Sequence, residues 1–269
     1  MKTIKFGQYV EQDLVVTLQK LLAKYGFSIT SDGVLGEATR QAVIEFQRQH
    51  QLSADGIVGY RTWEALFFDN RDNNQVSLRQ EDIELAAQLL DCEPASLMAV
   101  QQVETAGRGG FFKPEMPAIL FEGHIFWNQL TNRGLKAELY VKGNENILYQ
   151  KWSHTHYKGG IAEYDRLAQA RAIHREAADA STSWGMFQIM GFNYAACGEK
   201  SVVAFVAMMH KSELHQLLLF ARFVNKNKKI LYALQQKDWA KFAEYYNGPA
   251  YSQNSYDVKL AQAYRAAKN

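Results

Sequence analysis

A short repeat near the amino terminus constrains the fold of this chain more than any other sequence feature. Residues 32–36 (Asp-Gly-Val-Leu-Gly) are followed by Thr39, and residues 55–59 (Asp-Gly-Ile-Val-Gly) are followed by Thr62, an offset of 23 positions throughout. In each copy Asp-Gly predicts a tight turn in which glycine takes a positive φ. The two apolar residues then face inward, and the second glycine precedes a helix that carries the threonine.

Apolar positions at helical spacing precede the first copy and lie between the two copies. They are Leu14, Leu18, Leu21, Leu22 and Tyr25 in the first stripe, and Ala42, Val43, Phe46 and Gln47 in the second. Each stripe predicts an amphipathic helix, and Gly26 ends the first of them. We therefore predict a three-helix module of roughly 60 residues, in which the Asp-Gly turns hold the helices together.

A polar stretch at residues 69–80 lacks a periodic apolar face, so we predict a domain at 1–72 and a second at 73–269. The second domain contains candidate helices at 81–90, 94–104, 161–178, 201–224 and 237–246. The stretch 111–160 is rich in glycine and aromatic residues and predicts a short β-hairpin with loops. The expected fold class is mainly α, with a small three-helix bundle followed by an α+β domain.

The charge balance and cysteine content exclude several classes of protein. A formal net charge of +2 lacks the basic excess that is typical of nucleic-acid binding. Two cysteines, Cys92 and Cys197, are too few for a disulfide framework and fit a reducing compartment, although a single bridge stays open. The first residues lack the apolar core of a signal peptide, and the hydrophobic run 201–210 is too short to span a bilayer. We expect synthesis in the cytoplasm and no stable membrane insertion.

One carboxylate has the setting of a general acid. Leu97, Val100, Gln101 and Glu104 share one helical face, and Gly107 ends that helix. Partial burial and the negative end of the helix both disfavour the charged form of Glu104, so we expect a raised pKa. A carboxyl with a raised pKa can donate a proton near neutral pH.

A second carboxylate lies in the apolar, aromatic run at 117–127, together with a histidine. An unpaired charge is costly in such an apolar run. We therefore expect Glu122 and His124 either to bond to another polar group or to take part in catalysis. Two interpretations stay open, a direct catalytic role and a satisfied polar pair that supports the wall of a site.

Two further segments carry candidate binding groups. In residues 181–191, Gly185 would let a ligand approach the backbone, and Gln188 would face the same opening if the segment were helical. Near residue 247 a predicted helix ends with a phenol and an amide at its tip, from Tyr246 and Asn247.

Three of these segments resemble the signature segments of goose-type lysozymes and lytic transglycosylases, in the same order. They are Glu-Thr-Ala-Gly at 104–107, Ser-Trp-Gly-Met-Phe-Gln-Ile at 183–189 and Tyr-Asn-Gly at 246–248. Residues 119–127 are similar to the N-acetylmuramidase domain of phage endolysins, and the repeat resembles the three-helix peptidoglycan-binding module of cell-wall hydrolases. Together the resemblances cover nearly the whole chain and imply a lysozyme-like second domain.

The resemblance implies a role for each matching residue. Glu104 is expected to protonate the glycosidic oxygen between N-acetylmuramic acid and N-acetylglucosamine. Substrate-binding positions are expected at Thr105, which replaces the usual serine and keeps its hydroxyl, and at His124, Ser183, Gly185, Gln188, Tyr246 and Asn247. Glu122 is the candidate second carboxylate, as a base or an orienting group, and its separation from Glu104 would decide between retaining and inverting geometry.

Aromatic residues of the second domain could supply stacking faces for sugar rings. The candidates are Trp127, Trp152, Trp184, Tyr245 and Tyr246. His154 and His156 could ligate a metal on a strand, but no neighbouring cysteine or acidic motif completes a site. We therefore expect neither a metal nor another cofactor.

The sequence thus favours a phage endolysin that hydrolyses the glycan strands of bacterial peptidoglycan. Two alternatives stay open: a lytic transglycosylase that uses the same Glu104 and leaves anhydromuramic products, and a non-catalytic protein that binds the cell wall. The resemblance also implies a monomer that depends on a holin for access from the cytoplasm to the periplasm and cell wall, with a Gram-negative host favoured.

Overall fold

The computed structural model of the chain describes most of its residues. They are residues 2–68, 77–105, 107 and 109–268. The chain divides into two compact units, the first formed by Met1–Gln75 with Gln88–Asp91 and the second by Val76–Ala87 with Cys92–Asn269. The boundary expected between residues 72 and 73 lies outside the described residues and stays a prediction.

The first unit is the predicted three-helix bundle. Its helices are α1 (Gln12–Lys24), α2 (Glu37–Gln49) and α3 (Tyr60–Phe68). Leu18, Leu22, Phe46 and Trp63 are completely buried between the helices, as the apolar stripes require. The expectation of a small helical bundle at the amino terminus is confirmed.

A buried glutamine organises the first Asp-Gly turn. The Gln19 side-chain amide donates hydrogen bonds to Asp32 Oδ1 (2.8 Å), to the Val34 carbonyl (3.1 Å) and to Thr39 Oγ1 (3.1 Å). The Gln19 carbonyl oxygen accepts from the Gly33 N–H at 2.9 Å. One amide therefore satisfies the turn, the Val34 carbonyl and the first turn of the following helix together. The expectation that both apolar residues of this copy face inward was wrong for Val34, whose side chain is exposed.

The second Asp-Gly turn repeats this arrangement in detail. The Gln47 amide donates to Asp55 Oδ1, to the Ile57 carbonyl and to Thr62 Oγ1, and its oxygen accepts from the Gly56 N–H at 2.9 Å. The 23-residue offset of the turns does not apply to the glutamines, which lie 28 positions apart on the preceding helices. Sequence reasoning based on one offset therefore missed Gln19 as an equivalent of Gln47.

The second unit is mainly helical, as expected. Its helices are α4 (Gln80–Leu90), whose last residues group with the first unit, α5 (Pro94–Thr105), α6 (Gly123–Thr131), α7 (Glu163–Ala180), α8 (Val202–Met209), α9 (Glu213–Lys226), α10 (Lys228–Gln236), α11 (Trp239–Asn247) and α12 (Tyr256–Lys268). Helix α5 packs against α12, and α11 lies against both α10 and α12. This places the carboxyl-terminal ends of α5 and α11 in one region of the unit.

Two small antiparallel sheets complete the second unit. They consist of the hairpin β1 (Phe111–Lys113) and β2 (Met116–Pro117), and of a sheet in the order β3 (Ile119–Phe121), β4 (Thr182–Trp184) and β5 (Ile189–Met190). The expected hairpin in 111–160 is present. The same stretch also contains α6, which the aromatic-rich sequence did not reveal.

One predicted helix was wrong. The predicted helix 201–224 is two helices, because the Ser212 side chain accepts a hydrogen bond from the His215 N–H and starts a new helix. The segment around Gln188 is a turn between two strands, and Gln188 has a left-handed backbone with φ +47°. None of the helices in the described part of the chain has the length and apolar character that a membrane span requires.

Replacing Gln47 by leucine should lower the local free energy of unfolding of the bundle by about 2–4 kcal/mol. The buried Gly56 N–H and the Ile57 carbonyl would each lose their side-chain partner. Hydrogen–deuterium exchange of peptides from residues 37–66 measures this change. Gln49→Leu, at an exposed position of the same helix, is the matched control and should have an effect below about 0.5 kcal/mol; equal effects of the two variants would contradict the clamp.

Candidate active site

The three-stranded sheet provides one wall of a cleft in the second unit. Leu120, Ser183 and Met190 are paired across β3, β4 and β5, so their side chains form one row across the sheet. All three line a cleft of about 440 Å³. The other lining residues are Glu104, Glu122, Gln188, Ile189, Asn193, Phe223, Tyr246, Asn247 and Tyr256.

Glu104 lies in the last turn of α5, and its carboxylate meets a side chain from the end of α11. Asn247 Nδ2 donates a hydrogen bond to Glu104 Oε1 at 3.0 Å. Burial raises the pKa of Glu104 to about 7, although the hydrogen bond from Asn247 acts in the opposite direction. The sequence had predicted a raised pKa from partial burial of this carboxyl. With a pKa of about 7, the carboxyl is partly protonated near neutral pH and can donate a proton there.

Tyr246 and Asn247, at the end of α11, differ in whether their polar atoms have hydrogen-bond partners. Tyr246 donates its hydroxyl to the Phe187 carbonyl at 2.6 Å, and its ring stacks on Phe242 with centroids 5.3 Å apart. Burial raises the pKa of Tyr246 well above its usual value, so the phenol stays a donor. Asn247 Oδ1, in contrast, is buried and has no hydrogen-bond partner within the described residues. An acceptor next to the Glu104 carboxyl is therefore available to a ligand.

Ser183 and Gln188 are joined to each other in the cleft wall. Ser183 Oγ donates to Gln188 Oε1 at 2.7 Å, and Gln188 Nε2 donates to the Gly185 carbonyl at 2.8 Å. The left-handed backbone of Gln188 turns the chain back into β5 and keeps its amide in the cleft. Both residues thus lie where the sequence predicted a binding surface, on a strand and a turn instead of a helix.

Gly185 is needed for internal packing at this turn. Its backbone has φ +70°, and a Cβ there would lie 2.7 Å from Gln216 Cδ and 2.9 Å from Met209 Sδ. Gly185 is absent from the cleft lining. The neighbouring Trp184 is completely buried, so the expectation that it offers a stacking face to a sugar was wrong.

Gln216, which sequence reasoning missed, connects this turn to the loop that follows α5. Gln216 Oε1 accepts the Met186 N–H at 2.7 Å, and its Nε2 donates to the carbonyls of Gly110 (3.2 Å) and Met209 (3.0 Å). The available signal was a polar residue inside the mostly apolar run of α9, where Leu217 and Leu218 follow it in sequence. The partners are too distant in sequence to be inferred from that signal.

Glu122 follows β3 and contributes a second carboxylate to the cleft lining. Tyr157 donates its hydroxyl to Glu122 Oε2 at 2.6 Å, and His124 Nδ1 lies 3.4 Å from the same oxygen. Burial and the bond to Glu122 raise the pKa of Tyr157, which keeps the phenol protonated as a donor. His124 is outside the cleft lining, and its Nδ1 makes no hydrogen bond within the described residues. Tyr157 had no sequence motif that could have identified it.

A buried ion pair holds the Tyr157 segment beside β3. Glu163 accepts the N–H groups of Lys158 (2.6 Å) and Gly159 (3.0 Å) on one oxygen, and Arg166 at 2.7 Å on the other. Arg166 in turn donates to the Phe121 carbonyl at 2.9 Å, directly before Glu122. The position of Tyr157 relative to Glu122 therefore depends on two fully buried charges that satisfy each other.

Thr105 lies apart from the other predicted site residues. Its hydroxyl donates to the Gln101 carbonyl at 2.8 Å and accepts the Gly107 N–H at 3.1 Å, which closes the end of α5. It lines a larger groove of about 770 Å³ along α5 and α12, and among the described lining residues Lys259 is the one that carries a charge. The described part of its lining includes no acidic residue, and no cluster of three potential metal ligands lies among the described residues of the chain.

Comparisons with known proteins assign both parts of the chain. Residues 93–268 match the family described as N-acetylmuramidase, and residues 11–66 match the family described as a putative peptidoglycan binding domain. Among solved structures, the endolysin of Burkholderia phage AP3 is 42% identical, covers 99% of both chains and has a TM-score of 0.65. The similarity therefore extends over both regions instead of the catalytic segments alone.

The raised pKa of Glu104 predicts a pH-dependent stability. Below pH 4.5 the carboxyl is protonated in the folded and the unfolded chain, whereas between pH 4.5 and about 7 ionisation favours the unfolded chain. Stability is therefore lost as the pH rises through this window, and Glu104→Gln should be more stable than the unsubstituted chain by about 3 kcal/mol at pH 8 and not at pH 4.

Urea unfolding at both pH values measures the difference. Glu176→Gln, at an exposed position on α7, is the control for the loss of a carboxylate without burial and should show no such pH dependence. A constant difference between Glu104→Gln and the unsubstituted chain from pH 4 to pH 8 would contradict the raised pKa.

Proposed function

The chain belongs to the N-acetylmuramidase family, and on that premise we propose that Glu104 is the general acid of a glycoside hydrolase that acts on peptidoglycan. The reaction cleaves the bond between N-acetylmuramic acid and N-acetylglucosamine. The observation that best supports this assignment is the burial of the Glu104 carboxyl. Its pKa of about 7 allows it to donate a proton to the leaving oxygen near neutral pH.

Glu122 is the second carboxylate of the reaction and orients the attacking water. It lines the same cleft as Glu104, and Tyr157 occupies its Oε2 atom. Its Oε1 atom has no hydrogen bond within the described residues, so a water can be held there. The two carboxyl groups have different settings: burial raises the pKa of Glu104, whereas Glu122 accepts a hydrogen bond from the Tyr157 hydroxyl. Such a difference matches the division between acid and base in glycoside hydrolysis.

The remaining cleft residues bind the sugar rings. Ser183 and Gln188 present a hydroxyl and an amide along the sheet, and the orphaned Asn247 Oδ1 accepts from an N–H or a hydroxyl of the substrate near the cleaved bond. Tyr246 provides an aromatic wall beside Asn247. Three residues that were expected to bind the substrate have indirect roles instead. Thr105 closes the end of α5, Gly185 permits the turn that carries Gln188, and His124 lies beside the Glu122 carboxylate.

In its biological setting the protein acts as a phage endolysin. The full-length similarity to the Burkholderia phage enzyme and the peptidoglycan-binding domain at residues 11–66 support this role. A monomer synthesised in the host cytoplasm would reach the wall of a Gram-negative cell through a lesion made by a holin. The amino-terminal bundle then keeps the catalytic unit on its polymeric substrate.

Digestion of peptidoglycan in H₂¹⁸O should yield fragments with reducing ends that carry ¹⁸O, as judged by mass spectrometry. Glu104→Gln should lower the rate by about 10²–10⁴-fold, since it removes the proton donor and keeps the shape of the side chain. Anhydromuramic ends without ¹⁸O would identify a lytic transglycosylase, and binding without any product would identify a non-catalytic wall protein. Glu176→Gln is the control and should retain full activity.

Tyr157→Phe should lower kcat about tenfold and leave KM nearly unchanged, because a hydrogen bond that fixes a carboxylate in the transition state is lost. In the Glu122→Gln background the same substitution should add little, since the group that it positions is already changed. Tyr164→Phe removes another phenol, which bonds to the Pro117 carbonyl at 2.8 Å, and is the matched control. Fully additive effects of the Glu122 and Tyr157 substitutions would contradict the positioning role.

A further inference from the structure

The groove along α5 and α12 lies beside the cleft of the second unit, on the same two helices. Glu104 lines the cleft, whereas its neighbours in sequence, Val103 and Thr105, line the groove. Helix α12 repeats this arrangement, since Tyr256 lines the cleft and Lys259 lines the groove. The Lys259 ammonium lies 5.7 Å from the centre of the Tyr256 ring. A substrate that contacts Glu104 and Tyr256 in the cleft therefore has the groove within reach of its substituents.

The lining of the groove suits a peptide better than a sugar. None of its described residues is aromatic, so a sugar ring would find no stacking face there. Gln101, Gln102 and Gln262 bring side-chain amides that form no hydrogen bond within the described residues. Each amide offers a donor and an acceptor, as the backbone of an extended peptide does. Ala263 and Ala266 on α12 are short and leave room for such a chain.

Lys259 gives the groove a positive charge next to the cleft. Among the described lining residues it is the one that carries a charge, and its side chain is exposed. Its ammonium lies over the Tyr256 ring and forms no ion pair within the described residues. Burial and the nearby Glu104 carboxyl raise the pKa of the Tyr256 phenol, so this ring stays neutral beside the cation. A carboxylate of a ligand can therefore pair with Lys259.

We propose that the groove along α5 and α12 binds the stem peptide of the muramic acid whose glycosidic bond is cleaved in the cleft, with Lys259 paired to a carboxylate of that peptide. This inference rests on the proposed function, which supplies peptidoglycan as the substrate of the cleft. N-acetylmuramic acid carries its peptide on the lactyl ether of the sugar, and this peptide has free carboxylates. The chain thus distinguishes glycan strands that carry peptides from bare strands.

The test compares the hydrolysis of glycan strands that carry stem peptides with that of the same strands after an amidase has removed the peptides. Lys259→Met removes the charge and keeps the apolar stem. On the peptide-bearing strands it should raise KM about three- to fivefold and leave kcat unchanged, because one partly exposed ion pair is lost from the ground state and the transition state alike. On the bare strands it should match the parent chain.

Two further lysine variants separate the charge of Lys259 from other effects. Lys259→Arg keeps the cation and should retain most of the parent affinity for peptide-bearing strands. Lys211→Met changes an exposed lysine of the same unit that lines neither the cleft nor the groove, and it should match the parent on both substrates. Peptide-bearing strands whose carboxyl groups are coupled to glycinamide should have the raised KM with the parent chain, and Lys259→Met should raise it no further.

Another variant fills the groove without changing its charge. Ala266→Phe places a ring at an exposed position of the lining and should raise KM on the peptide-bearing strands but not on the bare strands. Thermal unfolding of each variant, which should match the parent, separates a lost contact from a lost fold.

Equal effects of Lys259→Met on the two substrates, or no effect on either, would overturn the ion pair with the peptide. Parent-like hydrolysis of peptide-bearing strands by Ala266→Phe as well would overturn the whole inference. Isothermal titration calorimetry in a Glu104→Gln background measures the Kd of both strands without cleavage, and Lys259→Met should weaken binding of the peptide-bearing strands alone. Failure of the parent chain to cleave either substrate would refute the proposed function, whereas the calorimetry would still decide the role of the groove.

Discussion

Buried backbone N–H and C=O groups beside the glycine turns of this protein need hydrogen-bond partners. The Gln216 side-chain amide supplies these partners at the turn that follows β4, in the wall of the cleft. It accepts from Met186 and donates to Gly110, so that it joins the turn of the cleft sheet to the loop that follows α5. A Cβ on Gly110 or on Gly185 would overlap this side chain. Gly110 and Gly185, the second of which the sequence suggested as an opening for a ligand, are therefore both required by one buried amide. A neutral amide can supply both donor and acceptor without the cost of burying a charge.

The bundle meets the same constraint twice with the same chemistry. Gln19 and Gln47 each complete an Asp-Gly turn from the preceding helix, so the module is built from two equivalent hydrogen-bond frames. Because these frames leave few turn groups unsatisfied, the exposed residues around them are free to differ between the halves.

The cleft departs from this rule at Glu104 and Asn247, the residues for which we propose a role in the reaction. The Glu104 carboxyl is buried with a single hydrogen bond from Asn247, and Asn247 Oδ1 has no partner within the described residues. By contrast, the buried carboxylate of Glu163 receives two backbone N–H groups on one oxygen and Arg166 on the other. The same residue type is thus held as a structural anion in one place and made protonated near neutral pH in another. Incomplete satisfaction at a buried site is what a reaction needs, since the substrate supplies the missing partners.

Sequence reasoning succeeded where the determining contacts are local and failed where they are distant. The bundle followed from turns and stripes only a few residues long, and the burial of Glu104 followed from its place on one helical face. The turn at Gln188 was not predicted, because its left-handed backbone depends on the strands on either side. The break in 201–224 was missed because it depends on one serine cap inside an apolar run. Tyr157 and Gln216 reach partners 35 and 106 residues away, and no periodicity encodes such a pairing. The residues that we propose for the reaction could therefore be inferred from short motifs, whereas those that position them required the folded chain. A positioning contact is defined by geometry between segments and not by residue type.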